Sequence, residues 1–131
     1  MAIICIDLDG VVAGFKGEGQ TYADVQPMPG AVEKLRSFKT HGHRIILYTA
    51  RHMKSCEGNL GLVIARVGKV TLDWLKHHDI PYDEIHFAKP WADVYIDDNA
   101  FRFRSWDDIS DDGSSLPQSS EKKLAGKRAD V

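Results

Sequence analysis

The stretch AIICIDLDGVV, residues 2–12, decides how the rest of the chain is interpreted. Its first half is apolar and β-branched, which predicts a buried strand of a parallel sheet. Cys5 lies inside this run and is expected to be a small core residue. Asp7 and Asp9 follow where the strand ends. Because they are two residues apart, their side chains share one face of a regular strand.

This carboxylate pair has two interpretations. Ligands of α/β sheets bind beyond the carboxyl ends of the strands, and burying two like charges there is costly unless a cation binds with them. A hard divalent cation such as Mg²⁺, which prefers oxygen ligands, meets that requirement. Asp and Gly are also common in turns, so an acidic turn after the strand stays open as an alternative.

Size and composition predict one domain of a non-membrane protein. The 131 residues leave little room for a second domain. A formal net charge of −2 gives no basic excess for nucleic acid or an anionic membrane surface. No apolar run approaches the roughly 20 residues that cross a bilayer. The two cysteines form no disulfide framework, and the first strand begins at residue 2, so we expect a cytoplasmic protein without a signal peptide.

Strand and helix signals alternate over the first hundred residues. Beyond the first strand, apolar runs and helical spacing predict these elements: strands at 43–48, 84–87 and 93–96, and helices at 31–41 and 70–78. Such alternation predicts a three-layer α/β fold, a parallel sheet with helices on both faces and right-handed crossovers. Residues 52–68 contain both loop-like and ambiguous apolar stretches, so their structure stays open.

Two polar stretches divide the chain. Residues 13–26 are rich in Gly and lack a clear period, which predicts a loop or flap. From about residue 107 apolar side chains become sparse, which predicts a poorly ordered tail. The sequence therefore predicts a domain at residues 1–106 and a tail at 107–131.

Polar side chains follow every predicted strand. Thr49 follows the second strand, Lys89 the third, and Asp97 with Asp98 the fourth. The carboxyl ends of parallel strands face the same way, so these groups are expected to meet Asp7 and Asp9. Carboxylates suit Mg²⁺ and the Thr and Lys donors suit phosphate oxygens, a combination that indicates phosphoryl transfer. Taken singly, Thr49 is explained as a helix cap, Lys89 as a surface lysine, and the Asp97–Asp98 pair as a turn.

The ordered set resembles the four motifs of the haloacid dehalogenase superfamily of phosphohydrolases. Those motifs are a DxD pair, a Thr or Ser, a Lys, and a terminal acidic pair, matched here by DLDGVV at 7–12, LYTAR at 47–51, KP at 89–90 and YIDD at 95–98. The likeness covers about residues 3–104. It implies a Rossmann-like fold, and the short intervals between motifs imply a member without a large cap domain.

The resemblance also implies roles for individual residues. Asp7 would be the nucleophile that forms an aspartyl-phosphate, and Asp9 the group that protonates the leaving oxygen and then activates water. Binding of phosphate and substrate is implied for these residues: Thr49, Ala50, Arg51, Lys89 and Gly10. The implied Mg²⁺ ligands are Asp7, Asp9, Asp97 and Asp98, with Asp98 favoured as a direct ligand and Asp97 as one acting through water.

The implied activity is a Mg²⁺-dependent phosphatase of phosphomonoesters. The stretch 58–98 is also similar to small members associated with capsule and surface-polysaccharide synthesis, so a sugar phosphate or related precursor is the first expected substrate. A phosphotransferase or phosphomutase with the same intermediate, or a non-catalytic binding module on this fold, stays open. An open, capless site also leaves room for a neighbouring subunit as lid, hence for a homo-oligomer.

Overall fold

Three parallel strands and two helices form the protein. The computed structural model describes residues 1–119 and 121–122. In chain order the elements are β1 (Ile3–Asp7), α1 (Ala31–Thr40), β2 (Arg44–Tyr48), α2 (Leu60–His77), β3 (Glu84–His86) and a short 3₁₀ turn at Trp106–Asp108. The chain is therefore an α/β protein with a parallel sheet. Neither helix of the described chain is long and apolar enough to cross a membrane.

The strand register places three carboxyl ends side by side. The sheet order is β1-β2-β3, with Asp7 opposite Tyr48 and Tyr48 opposite His86. Thr49 extends the β2–β3 pairing by one step, because its backbone N–H donates to the His86 carbonyl at 3.0 Å. The residues that follow these three strands therefore start side by side along one edge of the sheet.

Both helices begin and end at residues suited to those positions. Gly30, at φ 82°, supplies the left-handed turn before α1. The Asn59 side chain accepts a hydrogen bond from Leu62 N–H and caps α2. Residues 60–68, whose structure the sequence left open, are the first half of α2, so this helix is twice as long as the predicted one at 70–78. Trp74 lies on its buried side.

The prediction of helices on both sheet faces differs from the structure. Leu35 of α1 and Leu75 of α2 share one core with Ile6 and Leu47 of the sheet. Strands that advance in one direction through right-handed crossovers receive their helices on the same face, which explains the two layers seen in the described residues. Cys5 points to the opposite sheet face and is exposed, so the expectation that it is a core residue is wrong.

The predicted fourth strand at residues 93–96 is also wrong. Ile96 is 96% exposed and the segment has no strand geometry. The Tyr95 hydroxyl donates to the Pro90 carbonyl. Five residues of extended strand span about 16 Å, so this bond requires the segment to turn back on itself. An apolar run forms a strand only where the edge of a sheet is available to pair with it.

Packing continues beyond the predicted domain boundary at 106. Ile109 is buried in the main core, and Lys34 of α1 donates to its carbonyl and forms a 2.8 Å ion pair with Asp111. Trp106 is 3% exposed and donates its indole N–H to the Val11 carbonyl at 2.7 Å. The start of the predicted tail is thus packed on α1. Residue 120 and residues 123–131 lie outside the described part.

Trp106→Ala tests whether this packing is part of the fold. The substitution removes a buried ring and leaves the Val11 carbonyl without its donor, so unfolding free energy should fall by about 3–5 kcal/mol. Trp91→Ala is the matched control, because Trp91 is 50% exposed, and should cost under about 1 kcal/mol. Urea unfolding followed by circular dichroism measures both. Equal losses would contradict the packed position of Trp106.

Candidate active site

Lys89 and Asp7 form an ion pair at the row of strand ends. Asp7 is the last residue of β1, and Lys89 lies three residues after β3. Lys89 Nζ is 2.9 Å from Asp7 Oδ2, and its side chain is only 8% exposed. The same ammonium lies 4.6 Å from the ring centroid of Tyr48 and 4.4 Å from that of Tyr95. Such ring faces stabilise a cation, so Lys89 is held as a charged donor beside Asp7.

The environment of Lys89 keeps its side chain protonated. Burial on its own lowers the pKa of Lys89, but the hydrogen bond and the charge of Asp7 outweigh it, so the net pKa is raised. The thermodynamic contribution of this pair is therefore present across neutral pH.

Asp9 has a different set of partners. Arg51 Nε donates to Asp9 Oδ1 at 2.9 Å, and Arg51 Nη2 lies 2.8 Å from the same oxygen. The Thr49 hydroxyl donates to Asp9 Oδ2 at 3.0 Å and accepts the Arg51 backbone N–H at 3.1 Å. Residues after β2 thus fix the second carboxylate, while Lys89 holds the first.

Arg51 is buried, although it is a charged residue in a loop. It is 3% exposed, its Nη1 donates to the Thr71 hydroxyl of α2 at 3.1 Å, and its guanidinium lies 4.0 Å from the Tyr22 ring centroid. Burial, followed by the charge of Asp9, raises the pKa of Tyr22 against the opposing charge of Arg51. In the structure Arg51 therefore pairs with Asp9, whereas the resemblance implied that Arg51 binds phosphate.

Thr71 and Tyr22 were missed by the sequence argument. Thr71 has a signal in the sequence, since it follows Val63 and Val67 at a four-residue spacing and so falls on the buried face of α2. A polar residue on such a face needs buried partners; the Thr71 hydroxyl donates to the Val67 carbonyl and accepts from Arg51. Tyr22 lies in the Gly-rich loop, where no periodicity marks a residue that packs on the site.

Gly10 forms the turn that leads from Asp9 toward the loop at residues 13–26. Its φ is 84°, and its N–H donates to the Ala13 carbonyl at 2.7 Å. This positive φ favours glycine, and a Cβ at this position would also displace the exposed Phe15 ring, which would lie 2.5 Å away. Ala50, half-buried, lines the cleft that opens beside Asp9.

Asp97 and Asp98 are not brought to the other carboxylates. Both are exposed, and Asp97 accepts the Asn99 backbone N–H at 3.0 Å, a bond that lowers its pKa. Within residues 1–119 and 121–122, no three acidic, His or Cys side chains lie close enough together to hold a metal ion. The carboxylates that the sequence predicted as Mg²⁺ ligands are therefore not gathered into one group in the described residues, and Mg²⁺ binding stays a prediction.

Comparison with known proteins gives a structural relative but no function. No protein-family model matches the chain, and no curated protein matches it. A crystal structure of a Vibrio cholerae protein, described only as a target of structure determination, is similar with a TM-score of 0.71 and 29% identity. The match covers 100% of both chains. This likeness supports the α/β architecture and leaves the activity to be argued from the site.

The Lys89–Asp7 pair predicts a specific alkaline loss of stability. Since the folded pKa of Lys89 is raised above 10.5, its contribution is complete below the unfolded pKa and is lost as pH rises through the folded one. The difference in unfolding free energy between the wild type and Lys89→Met should be constant from about pH 7 to 9 and shrink above about pH 10.5. Chemical denaturation across this range measures it.

Lys69→Met is the control for this experiment, because Lys69 is an exposed lysine paired with Asp73 on α2. Its stability difference from the wild type should be small at every pH. A Lys89→Met difference that stays constant up to pH 11 would contradict the raised pKa.

Proposed function

We propose that this protein is a phosphatase that hydrolyses phosphomonoesters through an aspartyl-phosphate, on a Rossmann-like fold of the haloacid dehalogenase type. The observation that carries the proposal is the division of partners between the two carboxylates. Lys89 forms an ion pair with Asp7, whereas Arg51 and Thr49 donate hydrogen bonds to Asp9. Two adjacent carboxylates in different environments are suited to two different roles.

Asp7 is the proposed nucleophile. Its side chain is 31% exposed, so a substrate phosphorus can approach one oxygen while Lys89 holds the other. The Asp7 oxygen forms a bond to phosphorus as the bond to the leaving alcohol oxygen breaks, which gives an acyl phosphate. Lys89 offsets the charge on the phosphoryl oxygens during this transfer.

Asp9 is the proposed proton carrier. With no substrate, both of its oxygens accept hydrogen bonds, Oδ2 from the Thr49 hydroxyl. Arg51 Nε also donates to Oδ2, at 3.2 Å. A bound phosphoryl group competes for the Thr49 hydroxyl, and in the proposed cycle Oδ2 takes up a proton from solvent as the substrate binds. Asp9 gives this proton to the leaving alcohol oxygen, takes one from the water that hydrolyses the acyl phosphate, and returns it to solvent as phosphate leaves, so the enzyme regains its starting state.

Arg51 is assigned a positioning role. Its guanidinium has Asp9, Thr71 and Tyr22 as neighbours and is almost completely buried, so it acts on the substrate through Asp9. The planar fork of Arg fixes a carboxylate in two places at once, which Lys cannot do.

The Mg²⁺ requirement stays a prediction from the resemblance. A bound Mg²⁺ would shield Asp7 from the negative charge of the phosphate. The steps assigned to Asp7, Asp9 and Lys89 above are those of the side chains alone.

Asp7→Asn tests the proposed nucleophile. Phosphate release from a panel of sugar phosphates, nucleotides and p-nitrophenyl phosphate should fall at least about a thousandfold, since an amide does not attack phosphorus. The control is Asp73→Asn, an exposed carboxylate of α2, which should keep wild-type rates. Assays with Mg²⁺ and with a chelator show the metal requirement. Equal rates for Asp7→Asn and the wild type would refute the mechanism.

Arg51→Lys separates positioning from substrate binding. If Arg51 acts through Asp9, kcat should fall by about a hundredfold or more while KM stays within a few-fold, because the proton carrier is misaligned. The alkaline and acid limbs of the kcat profile should also move. A raised KM with unchanged kcat would show that Arg51 binds substrate phosphate directly.

A further inference from the structure

A cleft opens beside Asp9. Its volume is about 790 Å³, within the usual range of ligand sites. Asp9 lines this cleft, whereas Asp7 and Lys89 do not. On the proposed function, on which this inference rests, Asp9 protonates the leaving alcohol. The portion of substrate that departs as alcohol therefore belongs in this cleft.

The cleft carries excess positive charge. Lys16 and Lys54 both line it, and neither has a carboxylate within 4.0 Å in the described part of the chain. The one carboxylate of the lining, Asp9, is already paired with Arg51. Two ammonium groups without a protein anion make a site for an anionic group of a ligand.

Aromatic rings hold both ammonium groups. Lys16 Nζ lies 4.7 Å from the ring centroid of Tyr22, and Lys54 Nζ lies 4.1 Å from that of Trp91. Phe15 adds a further ring that is 78% exposed. Cations against ring faces keep their charge and lose some of their freedom, so the two lysines come from separate loops yet are positioned on the same cleft.

Two buried polar atoms of the lining also lack hydrogen-bond partners in the described chain. They are Arg51 Nη2 and His52 Nδ1. The Arg51 side chain is 1% exposed, and its Nη2, although not aligned for a hydrogen bond, is ion-paired with Asp9 Oδ1 at 2.8 Å, so it is not free for a ligand. His52 is held at φ 60°, a strained conformation for this residue. An unpartnered buried polar atom is costly, and His52 Nδ1 is such an atom in the wall of the cleft.

We propose that the cleft binds a second phosphate carried by the leaving alcohol, so that the preferred substrates are bisphosphates. Lys16 and Lys54 would contact the second phosphate, and the exposed rings would line the scaffold that joins the two phosphates. Sugar and nucleoside scaffolds share this chemistry, and matched ligands distinguish them.

Binding to Asp7→Asn tests the proposal without requiring turnover. Calorimetry compares adenosine 3′-monophosphate with adenosine 3′,5′-bisphosphate, and glucose 6-phosphate with glucose 1,6-bisphosphate. In at least one pair the bisphosphate should bind about tenfold tighter or more. Adding Lys16→Met and Lys54→Met together should bring that ratio close to one. Both lysines are exposed, so the fold should be retained, which thermal unfolding checks.

Lys69→Met, added to Asp7→Asn instead, removes a lysine outside the cleft and should leave the ratio unchanged. A ratio near one in both pairs overturns the proposal, and so does a ratio that survives loss of both cleft lysines or falls equally with Lys69→Met. Phosphate release by the wild type is measured separately. Its absence would refute the phosphatase function and leave the binding result to stand for the cleft.

Discussion

The ion pair between the buried Arg51 and the part-exposed Asp9 is the interaction on which the rest of the site depends. It joins the loop after β1 to the loop after β2, and through Thr71 it reaches α2. Arg51 is only 1% exposed, so removing Asp9 would leave a buried charge without its partner, which is costly. The pair therefore fixes the position of Asp9 relative to the sheet, and with it the separation of Asp9 from Asp7.

The separate partners of the two carboxylates resolve the problem of like charges at one strand end. Two carboxylates that shared one environment would repel each other and resist ionisation together. Here Lys89 neutralises Asp7 from the side of β3, and Arg51 neutralises Asp9 from the side of α2. Each cation also lies over a tyrosine ring. Lys89 lies over the ring of Tyr48, and Arg51 lies over the ring of Tyr22. The result is one exposed carboxylate that can attack and one clamped carboxylate that can exchange a proton.

Much of the fold follows from local sequence signals, because strands and helices of this size have clear periods. The apolar runs at β1 and β2 and the spacing of Leu35 and Phe38 predict their elements directly. The length of α2 did not follow, since its apolar stretch before Gly68 fits a strand as well as a helix. The prediction of a strand at 93–96 was wrong for a tertiary reason. Contacts such as that of Tyr95 with Pro90 decide whether an apolar run pairs with the edge of a sheet.

The positions of site residues that follow a strand could be predicted from the sequence, whereas the positions of those in longer loops could not. Asp7, Thr49 and Lys89 follow strands whose register is set by the sheet, so the sequence could place them together. The partner of Arg51 could not be read from the sequence, since a basic residue in a loop is usually solvated. Tyr22 and Lys16 lie in the loop at 13–26, and only the folded chain shows that they border Asp9.

The location of the phosphoryl group on the enzyme tests the central claim most directly. The wild type is mixed with an activated phosphate donor such as acetyl phosphate, quenched in acid, digested and analysed by tandem mass spectrometry. The proposed division of roles predicts a phosphoryl group on the Asp7 carboxylate alone, with Asp9 unmodified. Phosphate release without any phosphorylated peptide, or a phosphoryl group on Asp9, would contradict it.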